Sequence, residues 1–373
     1  MAKTLKIGNR LIGEGQPVFM VAELSGNHHQ KYEEAEALVR AAKEAGADAV
    51  KLQTYTADTI TLNSDKEWFR VGVEADNPQA WKGLTLYQLY QTAYTSWDWQ
   101  PKLKKLADEL GIMLFSSPFD TTAVDFLEKM NVPCYKIASY EVNDCILLKK
   151  IAKTGKPVIM SIGYASLEDV ELALKTLREN GARDIAILYC ITDYKGRPDE
   201  AIAGLATIED IVKRWGVVAG FSDNSGGIDV PAMAMRAGAK IVEKHVILDR
   251  KLAGPDADFS IEPAELKELV DILHGNKKYL FDEARYQKVL GVPSYGPRND
   301  LEKYNLRWRR SLFAAKNIKK GEKFTQDNVR SVRPAFGLHT KYFDEVIDKT
   351  AVMDIEFATP LKKEHVNSSL SKD

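Results

Sequence analysis

The 373-residue chain lacks several features that define whole classes of protein. Its three cysteines form no CxxC pair and are odd in number, which argues against a disulfide framework and fits a reducing cytoplasm. No run of about 18 apolar residues occurs, so we expect no transmembrane helix, and the first residues contain no apolar stretch of signal-peptide length. The net charge is −1, which gives no reason to expect nucleic acid or a membrane as a partner.

The composition is that of an ordinary globular protein. Hydrophobic residues make up 45% of the chain and charged residues 28%. The length indicates roughly two domains, although one barrel of parallel strands can take up about 250 residues.

From residue 18 onward the sequence repeats short apolar strand, polar exit and amphipathic helix. Eight strands that alternate with helices predict a parallel sheet, and eight such units close a TIM (β/α)8 barrel. A small hairpin at 5–12 is predicted ahead of the barrel, and a helix at 262–281 ends the series. The predicted strands are 18–22, 49–52, 112–115, 134–137, 158–160, 185–189, 217–221 and 241–243.

Two stretches depart from this repeat. The insertion 54–95 carries two tryptophans and several tyrosines, and a long connection after a barrel strand typically lines the active site; it could also be a packed surface excursion. After the barrel domain at 1–282, glycines and prolines predict a linker at 283–305. A small domain follows at 306–373, with 14 Lys and Arg against 9 Asp and Glu. Its excess positive charge suits a cap for an acidic barrel or an anionic ligand, although scattered surface lysines account for most of it.

The segment 241–245, with sequence IVEKH, sets three ionisable residues at the end of the eighth predicted strand. Charged groups there are poorly placed for core packing, but active sites of TIM barrels gather at the carboxyl ends of the strands. Taken alone, the segment is equally consistent with a strand that ends in solvent. The other strands, however, end in similar residues.

Two lysines and a ring of serines follow the remaining strands. Lysine supplies point charge and hydroxyl groups supply directed donors, so together they predict a site for a small, highly charged anion such as a phosphate ester. Any one of these lysines could instead be a structural ion-pair partner. The residues are Lys51, Ser117, Lys136, Ser139, Ser161 and Ser222.

A divalent metal is a further candidate ligand. His245, with Glu23 and Asp256, offers imidazole and carboxylate donors that suit Mn²⁺ or a similar ion, although one histidine at a strand end is weak support. His28 and His29 form a second candidate, but adjacent residues rarely share one site.

At these residues the chain resembles the bacterial sialic-acid-type synthases of the NeuB group, in which a TIM barrel precedes an antifreeze-like (SAF) domain. The resemblance covers nearly the whole chain. Within the group, 56–69, 80–90 and 332–342 look most like the pseudaminic acid synthases. The motifs that carry the resemblance are AELSGNH (22–28), AGADAVKLQTYT (45–56), FSSPFD (115–120), YKIASYE (135–141), GFSDNS (220–225), VEKH (242–245) and GPDADFS (254–260).

The resemblance implies a condensation of phosphoenolpyruvate (PEP) with a 2,4-diacetamido-2,4,6-trideoxy-L-altrose, which gives pseudaminate and phosphate. It implies that the lysines and serines above hold PEP, that Glu23 and Glu243 serve catalysis, and that His245 and Asn224 bind Mn or Mg. It further implies that an arginine of the SAF domain enters the barrel of a partner subunit in a domain-swapped homodimer. The residues that would touch the sugar are Glu23, Trp81, Tyr194, Asp256 and Arg333.

Three positions differ from the family pattern. Asn224 stands where the group has a metal-binding histidine, and an amide oxygen is a weaker ligand than imidazole for softer metals. Ile162 replaces a usual threonine, and Asp193 adds negative charge in a stretch, 192–195, that itself departs from the pattern. Metal affinity is the property these changes put in question.

Three alternatives remain open from the sequence. A sister synthase would make N-acetylneuraminate or legionaminate from the matching N-acetyl hexose. A non-catalytic homologue, which Asn224 would favour, would bind PEP or sugar without turnover. An aldolase would form a Schiff base on Lys51 or Lys136, which borohydride could trap.

Overall fold

A computed structural model describes residues 4–72, 82–195, 200–252, 254, 256–367 and 370–371, with backbone only for 193–195 and 201. Strands β1 (Thr4–Ile7) and β2 (Arg10–Gly13) form the predicted antiparallel hairpin. Eight parallel strands then close into a barrel, which confirms the predicted TIM-barrel fold. They are β3 (Phe19–Glu23), β4 (Ala49–Thr54), β5 (Met113–Pro118), β6 (Tyr135–Ile137), β7 (Val158–Ser161), β8 (Ile185–Lys195), β9 (Val218–Ser225) and β10 (Ile241–His245).

Several of the helices between these strands begin at a side-chain cap or end at a glycine. Helix α7 starts at a capping box of Ser166 and Asp169, and α1 ends at Gly46, whose left-handed φ of 86° suits glycine. The predicted helix at 262–281 ends early, at Leu273, because Gly275 adopts a left-handed φ of 78°. The helices are α1 (Tyr32–Ala45), α2 (Ala57–Ile60), α3 (Leu86–Ala93), α4 (Gln100–Leu110), α5 (Thr121–Lys129), α6 (Cys145–Ala152), α7 (Leu167–Glu179), α8 (Ala206–Trp215), α9 (Asp229–Arg236) and α10 (Pro263–Leu273).

The register of the barrel brings the charged strand ends together. Glu23 of β3 pairs with Lys51 of β4 on one side and with His245 of β10 on the other. On the far side of β10, Glu243 pairs with Ser222 of β9. Since neighbouring strands are about 5 Å apart, these pairings set the side chains at one end of the barrel within reach of each other.

The segment predicted as a linker, 283–305, contains two helices, α11 (Glu283–Leu290) and α12 (Asp300–Asn305). Tyr286 and Val289, which lie three apart on α11, are buried in the barrel core. The glycines and prolines lie between the helices, where Gly296 N–H donates to Ala165 O at 2.7 Å. This segment is therefore packed along the barrel.

The small C-terminal domain has its own apolar core and rests on the barrel. Strands β11 (Ser311–Ala314) and β12 (Val329–Val332) pair antiparallel, and helix α13 (Phe343–Val346) follows. The described part of the insertion 54–95 packs against this domain, so the insertion lies between domain and barrel. That apolar contact joins Leu62, Phe69, Val71 and Leu86 to Trp308, Phe313 and Val332.

The sequence led us to expect neither a transmembrane helix nor a disulfide framework. Across the described ranges, no helix combines the length and apolar character needed to cross a bilayer. The three cysteines, Cys134, Cys145 and Cys190, are free and buried.

Candidate active site

A buried network of opposite charges occupies the carboxyl end of the barrel. Lys51 Nζ lies 3.0 Å from Glu23 Oε2 and 2.9 Å from Glu243 Oε1. Lys136 Nζ lies 3.6 Å from Glu243 Oε1. All four side chains are nearly inaccessible to solvent. In so dry an environment each charge depends on its partners, because solvation by water has been lost.

The two glutamates of this network differ in acidity. Burial raises the pKa of Glu23, and Lys51 only partly offsets it. Burial acts in the same direction on Glu243, but Lys136 and Lys51 outweigh it and lower the pKa of that carboxyl to about 2. Glu243 therefore stays ionised as the counterion of the lysines, while Glu23, whose pKa is raised, is the carboxyl better suited to exchange a proton.

The two lysines also differ. Burial disfavours the charge on Lys51, but Glu23 and Glu243 more than compensate, and the pKa of Lys51 is raised. For Lys136 burial prevails over the attraction of Glu243, so its pKa is lowered to about 8. Lys136 consequently titrates close to the physiological range and would regain full charge beside a bound anion.

Hydroxyl groups surround these lysines. Ser161 accepts a hydrogen bond from Lys136 Nζ at 2.7 Å, and Ser222 donates to Glu243 at 2.9 Å. Ser139 accepts from Gly163 N–H at 3.1 Å. Ser117 Oγ is buried and has no hydrogen-bond partner among the described residues, so its bonding capacity is left for a ligand. The structure thus brings the predicted anion-binding residues to one end of the barrel.

His245 and Asp256 lie beside this network. Burial and the nearby Lys51 lower the pKa of His245 to about 3, so the imidazole is neutral. Its Nδ1 is 3.9 Å from Asp256 Oδ2 and makes no hydrogen bond within the described residues, so the two groups do not form an ion pair. Asp256 accepts a hydrogen bond from Ser25, and burial raises the pKa of Asp256.

These features bear on the predicted metal site. A neutral imidazole with a buried, unpartnered nitrogen fits a metal ligand. Asn224 donates its amide N–H to Cys190 Sγ at 3.4 Å. The amide oxygen is therefore the atom of Asn224 that would bind a metal. The described residues contain no group of three or more His, Cys, Asp or Glu side chains that could hold a metal. A divalent ion bound by His245 and Asn224 would have to take its further ligands from substrate or water.

The second metal candidate is not supported. His28 is buried and bonds Thr95 Oγ1 at 2.8 Å, whereas His29 bonds Glu34 at 2.6 Å. The two rings thus have different partners. His28 packs edge-on against Trp99, which indicates a structural role.

Arg333 reaches the barrel from the small domain of the same chain. Its guanidinium donates to Glu141 Oε1 at 2.6 and 3.2 Å and to the Tyr90 hydroxyl at 3.1 Å. The rings of Tyr90, Phe119 and Tyr140 surround the cation, with centroids 4.8 to 5.9 Å from its central carbon. The arginine predicted to enter a partner's barrel contacts its own barrel in this single chain.

Tyr55 packs against two of the aromatic rings that surround Arg333. Its ring lies edge-on to Phe119 at 5.1 Å and to Tyr90 at 5.8 Å. Burial raises the pKa of Tyr55, with further contributions from Tyr90 and Asp256, while Arg333 opposes the shift.

Sequence reasoning missed Glu141 and Arg310. Glu141 is fully buried, and its Oε2 has no hydrogen-bond partner among the described residues. Arg310, also fully buried, lies 3.4 Å from Glu141 Oε1 and bonds the carbonyl oxygens of Phe119 and Ser331. Glu141 is the last residue of the YKIASYE motif and lies four residues after β6. Its position near a barrel strand end could have marked it as a candidate site residue.

Two predicted sugar-binding residues are not placed by side chain. Trp81 lies outside the described residues, and Tyr194 is described by backbone alone at the end of β8. The third ionisable residue of 241–245, Lys244, is fully buried and pairs with Asp223 at 2.8 Å. It belongs to a separate ion pair, and within the described part of the chain it forms no hydrogen bond or ion pair with the lysine–glutamate network.

The fold and the site define a class of protein: a TIM barrel with a buried cluster of lysines, glutamates and serines toward the carboxyl ends of its strands, followed by a small domain that rests on the barrel. The chain belongs to the NeuB family, whose model matches residues 38–284, and a SAF domain matches residues 309–367. It is 38% identical to pseudaminic acid synthase of Campylobacter jejuni, over 96% of this chain and 99% of that one. It is 37% identical to pseudaminic acid synthase of Helicobacter pylori, over 95% of this chain and 99% of that one.

A solved structure agrees with this assignment. The crystal structure of spore coat polysaccharide biosynthesis protein SpsE from Bacillus subtilis covers 100% of both chains, with a TM-score of 0.81 and 31% sequence identity. The likeness extends over barrel and small domain together, which supports the two-part architecture.

Proposed function

We propose that the protein is a pseudaminic acid synthase, which condenses PEP with 2,4-diacetamido-2,4,6-trideoxy-L-altrose and water to give pseudaminate and phosphate. The observation that carries the proposal is the 37 to 38% identity, over nearly the full length, to relatives with that name. The N,N'-diacetyllegionaminic acid synthases of Campylobacter jejuni and Legionella pneumophila are 31% and 29% identical. The buried cluster of lysines, serines and glutamates supports the same reaction.

PEP has a phosphate and a carboxylate, and the two lysines and four serines at the strand ends supply charge and directed donors for both. Ser117, with its unpartnered hydroxyl, and Lys136, with its lowered pKa, are the groups that gain most from an anion. Before PEP arrives, the Glu243 carboxylate offsets the positive charge of Lys51 and Lys136, and PEP brings further negative charge to the same lysines.

In the reaction the enol carbon of PEP forms a bond to the open-chain sugar aldehyde. Water then adds to the resulting cationic carbon, and the C–O bond to phosphate breaks, which releases phosphate. Glu23, whose pKa is raised by burial, is placed to give a proton to the aldehyde oxygen. Asp256, Tyr194, Trp81 and Arg333 are proposed to bind the sugar. A divalent Mn or Mg, held by His245 and Asn224, would polarise the aldehyde.

We further propose that the enzyme acts in the cytoplasm as a homodimer that exchanges SAF domains. The contact of Arg333 with Glu141 shows which surfaces are complementary. In an exchanged dimer the same contact would form between two chains. Sedimentation and cross-linking of a Glu141→Cys, Arg333→Cys protein, compared with each single variant, would show whether the linked residues belong to one chain or two.

Phosphate release from PEP tests the function. The enzyme is assayed with the diacetamido-trideoxy-altrose and with N-acetylmannosamine, each with and without Mn. We expect phosphate release with the diacetamido-trideoxy-altrose and none with N-acetylmannosamine. Release with N-acetylmannosamine alone would assign a sister activity, and PEP binding without release from either sugar would indicate a non-catalytic homologue.

A further inference from the structure

The end of strand β8 is held from outside the barrel by the segment 283–305. β8 is 11 residues long, and its pairing with β9 becomes irregular between Ile191 and Lys195. At this irregularity Thr192 Oγ1 donates to Glu302 Oε1 at 2.9 Å. Thr192 and Glu302 are both fully buried. The carboxylate of α12 is thus bonded to the part of β8 that ladder hydrogen bonds hold least regularly.

Arg298 completes this contact. It pairs with Glu302 through both carboxylate oxygens, with 3.0 Å from Nε to Oε2. The same guanidinium donates to the Tyr189 hydroxyl at 2.6 Å and to the carbonyl oxygens of Ile202 and Cys190 at 3.1 and 3.4 Å. A planar guanidinium with bonds in several directions fixes position as well as charge. Arg298 and Glu302 together are called the β8 clamp below.

Thr192 is confined from the other side as well. A Cβ on Gly163 would come within 2.5 Å of Thr192 Cγ2, so glycine is required for this approach. The Tyr164 hydroxyl also donates to Thr192 O at 3.5 Å. Threonine is therefore held between the loop after β7 and the clamp, which leaves it little freedom to move.

We infer that the β8 clamp positions the sugar-binding end of the site, an inference that rests on the proposed function. Thr192 lies two residues before Tyr194, the proposed sugar contact, whereas the PEP-binding lysines lie on β4 and β6. Among the described residues the clamp forms no hydrogen bond or ion pair with Lys51 or Lys136. A buried ion pair is a costly way to gain stability, which agrees with a role in fixing local geometry. Arg298 and Glu302 are positioning residues that act through Thr192.

The test is steady-state kinetics on Glu302→Gln in the full-length enzyme. The amide keeps the shape but removes the charge that pairs with Arg298, so the expected result is a KM for the altrose roughly tenfold higher. The KM for PEP should stay within about twofold, since in the described residues the side-chain hydrogen bonds of Arg298 and Glu302 go to Thr192, Tyr189 and backbone carbonyl oxygens and to none of the proposed PEP-binding side chains. Asp300→Asn is the matched control, because the same chemical change occurs on the same helix at a side chain that is 97% exposed. It should leave both constants unchanged.

A second pair of variants examines the same bond from β8. Thr192→Val removes the hydroxyl with little change in volume and should raise the sugar KM, whereas Thr192→Ser should restore it. The effects of Thr192→Val and Glu302→Gln on the sugar KM should be less than additive, since both substitutions act on the same hydrogen bond between Thr192 and Glu302. If Glu302→Gln does not fold, this pair carries the test.

Equal rises of both KM values, or no rise in either, would overturn the inference while the proposed function stands. A wild-type enzyme without turnover of the altrose would overturn the proposed function and the inference together.

Discussion

Replacing Glu243 with glutamine should destabilise the free enzyme and increase the stabilisation that PEP provides. Glu243 Oε1 lies 2.9 Å from Lys51 and 3.6 Å from Lys136, and burial leaves these lysines no water to replace it. Removing one member of a buried ion pair costs about 3 to 5 kcal/mol. We take about 3 kcal/mol, because Glu23 remains beside Lys51 at 3.0 Å and offsets part of the loss.

For a barrel of about 280 residues, about 3 kcal/mol corresponds to a Tm roughly 5 °C lower. PEP carries its own negative charges into the gap, so the upward shift of Tm at saturating PEP should be larger for Glu243→Gln than for the wild type. Scanning calorimetry with and without PEP measures both quantities. Glu109→Gln is the control, because that carboxylate is 61% exposed and lies 3.8 Å from a lysine on a helix surface. It should change Tm by less than about 1 °C.

Two results would refute this reasoning. An unchanged Tm in Glu243→Gln would mean that the lysines do not depend on this carboxylate. A PEP-induced shift equal to or smaller than that of the wild type would mean that PEP does not bind beside Lys51 and Lys136.

Three further predictions concern single residues. Burial, against the opposing attraction of Glu243, lowers the pKa of Lys136 to about 8, so its charge is present below pH 8 and lost above it. In initial-rate measurements the KM for PEP should therefore rise about threefold or more between pH 7.5 and 9 in the wild type. In Lys136→Arg, which keeps its charge, the KM should stay nearly constant over the same range. Arg333→Met should raise the KM for the sugar roughly tenfold or more and leave that for PEP nearly unchanged, in the same assay. Asn224→His should bind Mn²⁺ at least about tenfold more tightly by titration calorimetry, and equal affinity would show that residue 224 is not a ligand.

The alternation of strand and helix was sufficient to predict the barrel, because short continuous apolar runs, as expected of strands buried on both faces, alternate with longer amphipathic runs of helical period. The same reasoning grouped Lys51, Lys136 and Glu243 in one site, and in the structure both lysines lie close to Glu243, at 2.9 and 3.6 Å. It relied on a rule of topology, that parallel strands in a barrel end on one side, and needed no knowledge of tertiary contacts.

Two features were beyond that reasoning. The segment 283–305 was predicted as a linker because glycine and proline are frequent in it, yet Tyr286, Val289 and Glu302 are buried against the barrel. Arg310 and Glu141 are far apart in sequence and meet only when the small domain docks, so no local pattern marks them as a pair. Long-range polar contacts of this kind depend on the three-dimensional arrangement alone.

Glu23 and Glu243, which the sequence could not distinguish, have pKa values shifted in opposite directions and therefore suit different roles. Both lie in a barrel strand and both contact Lys51. Glu243 also pairs with Lys136, and this additional cation helps to lower the pKa of Glu243, whereas burial raises the pKa of Glu23. Once PEP binds, its negative charge opposes ionisation of both carboxyls, and Glu23, with a pKa that is already raised, is the first to become protonated. Substrate binding would in this way prepare the acid that the attack on the aldehyde requires.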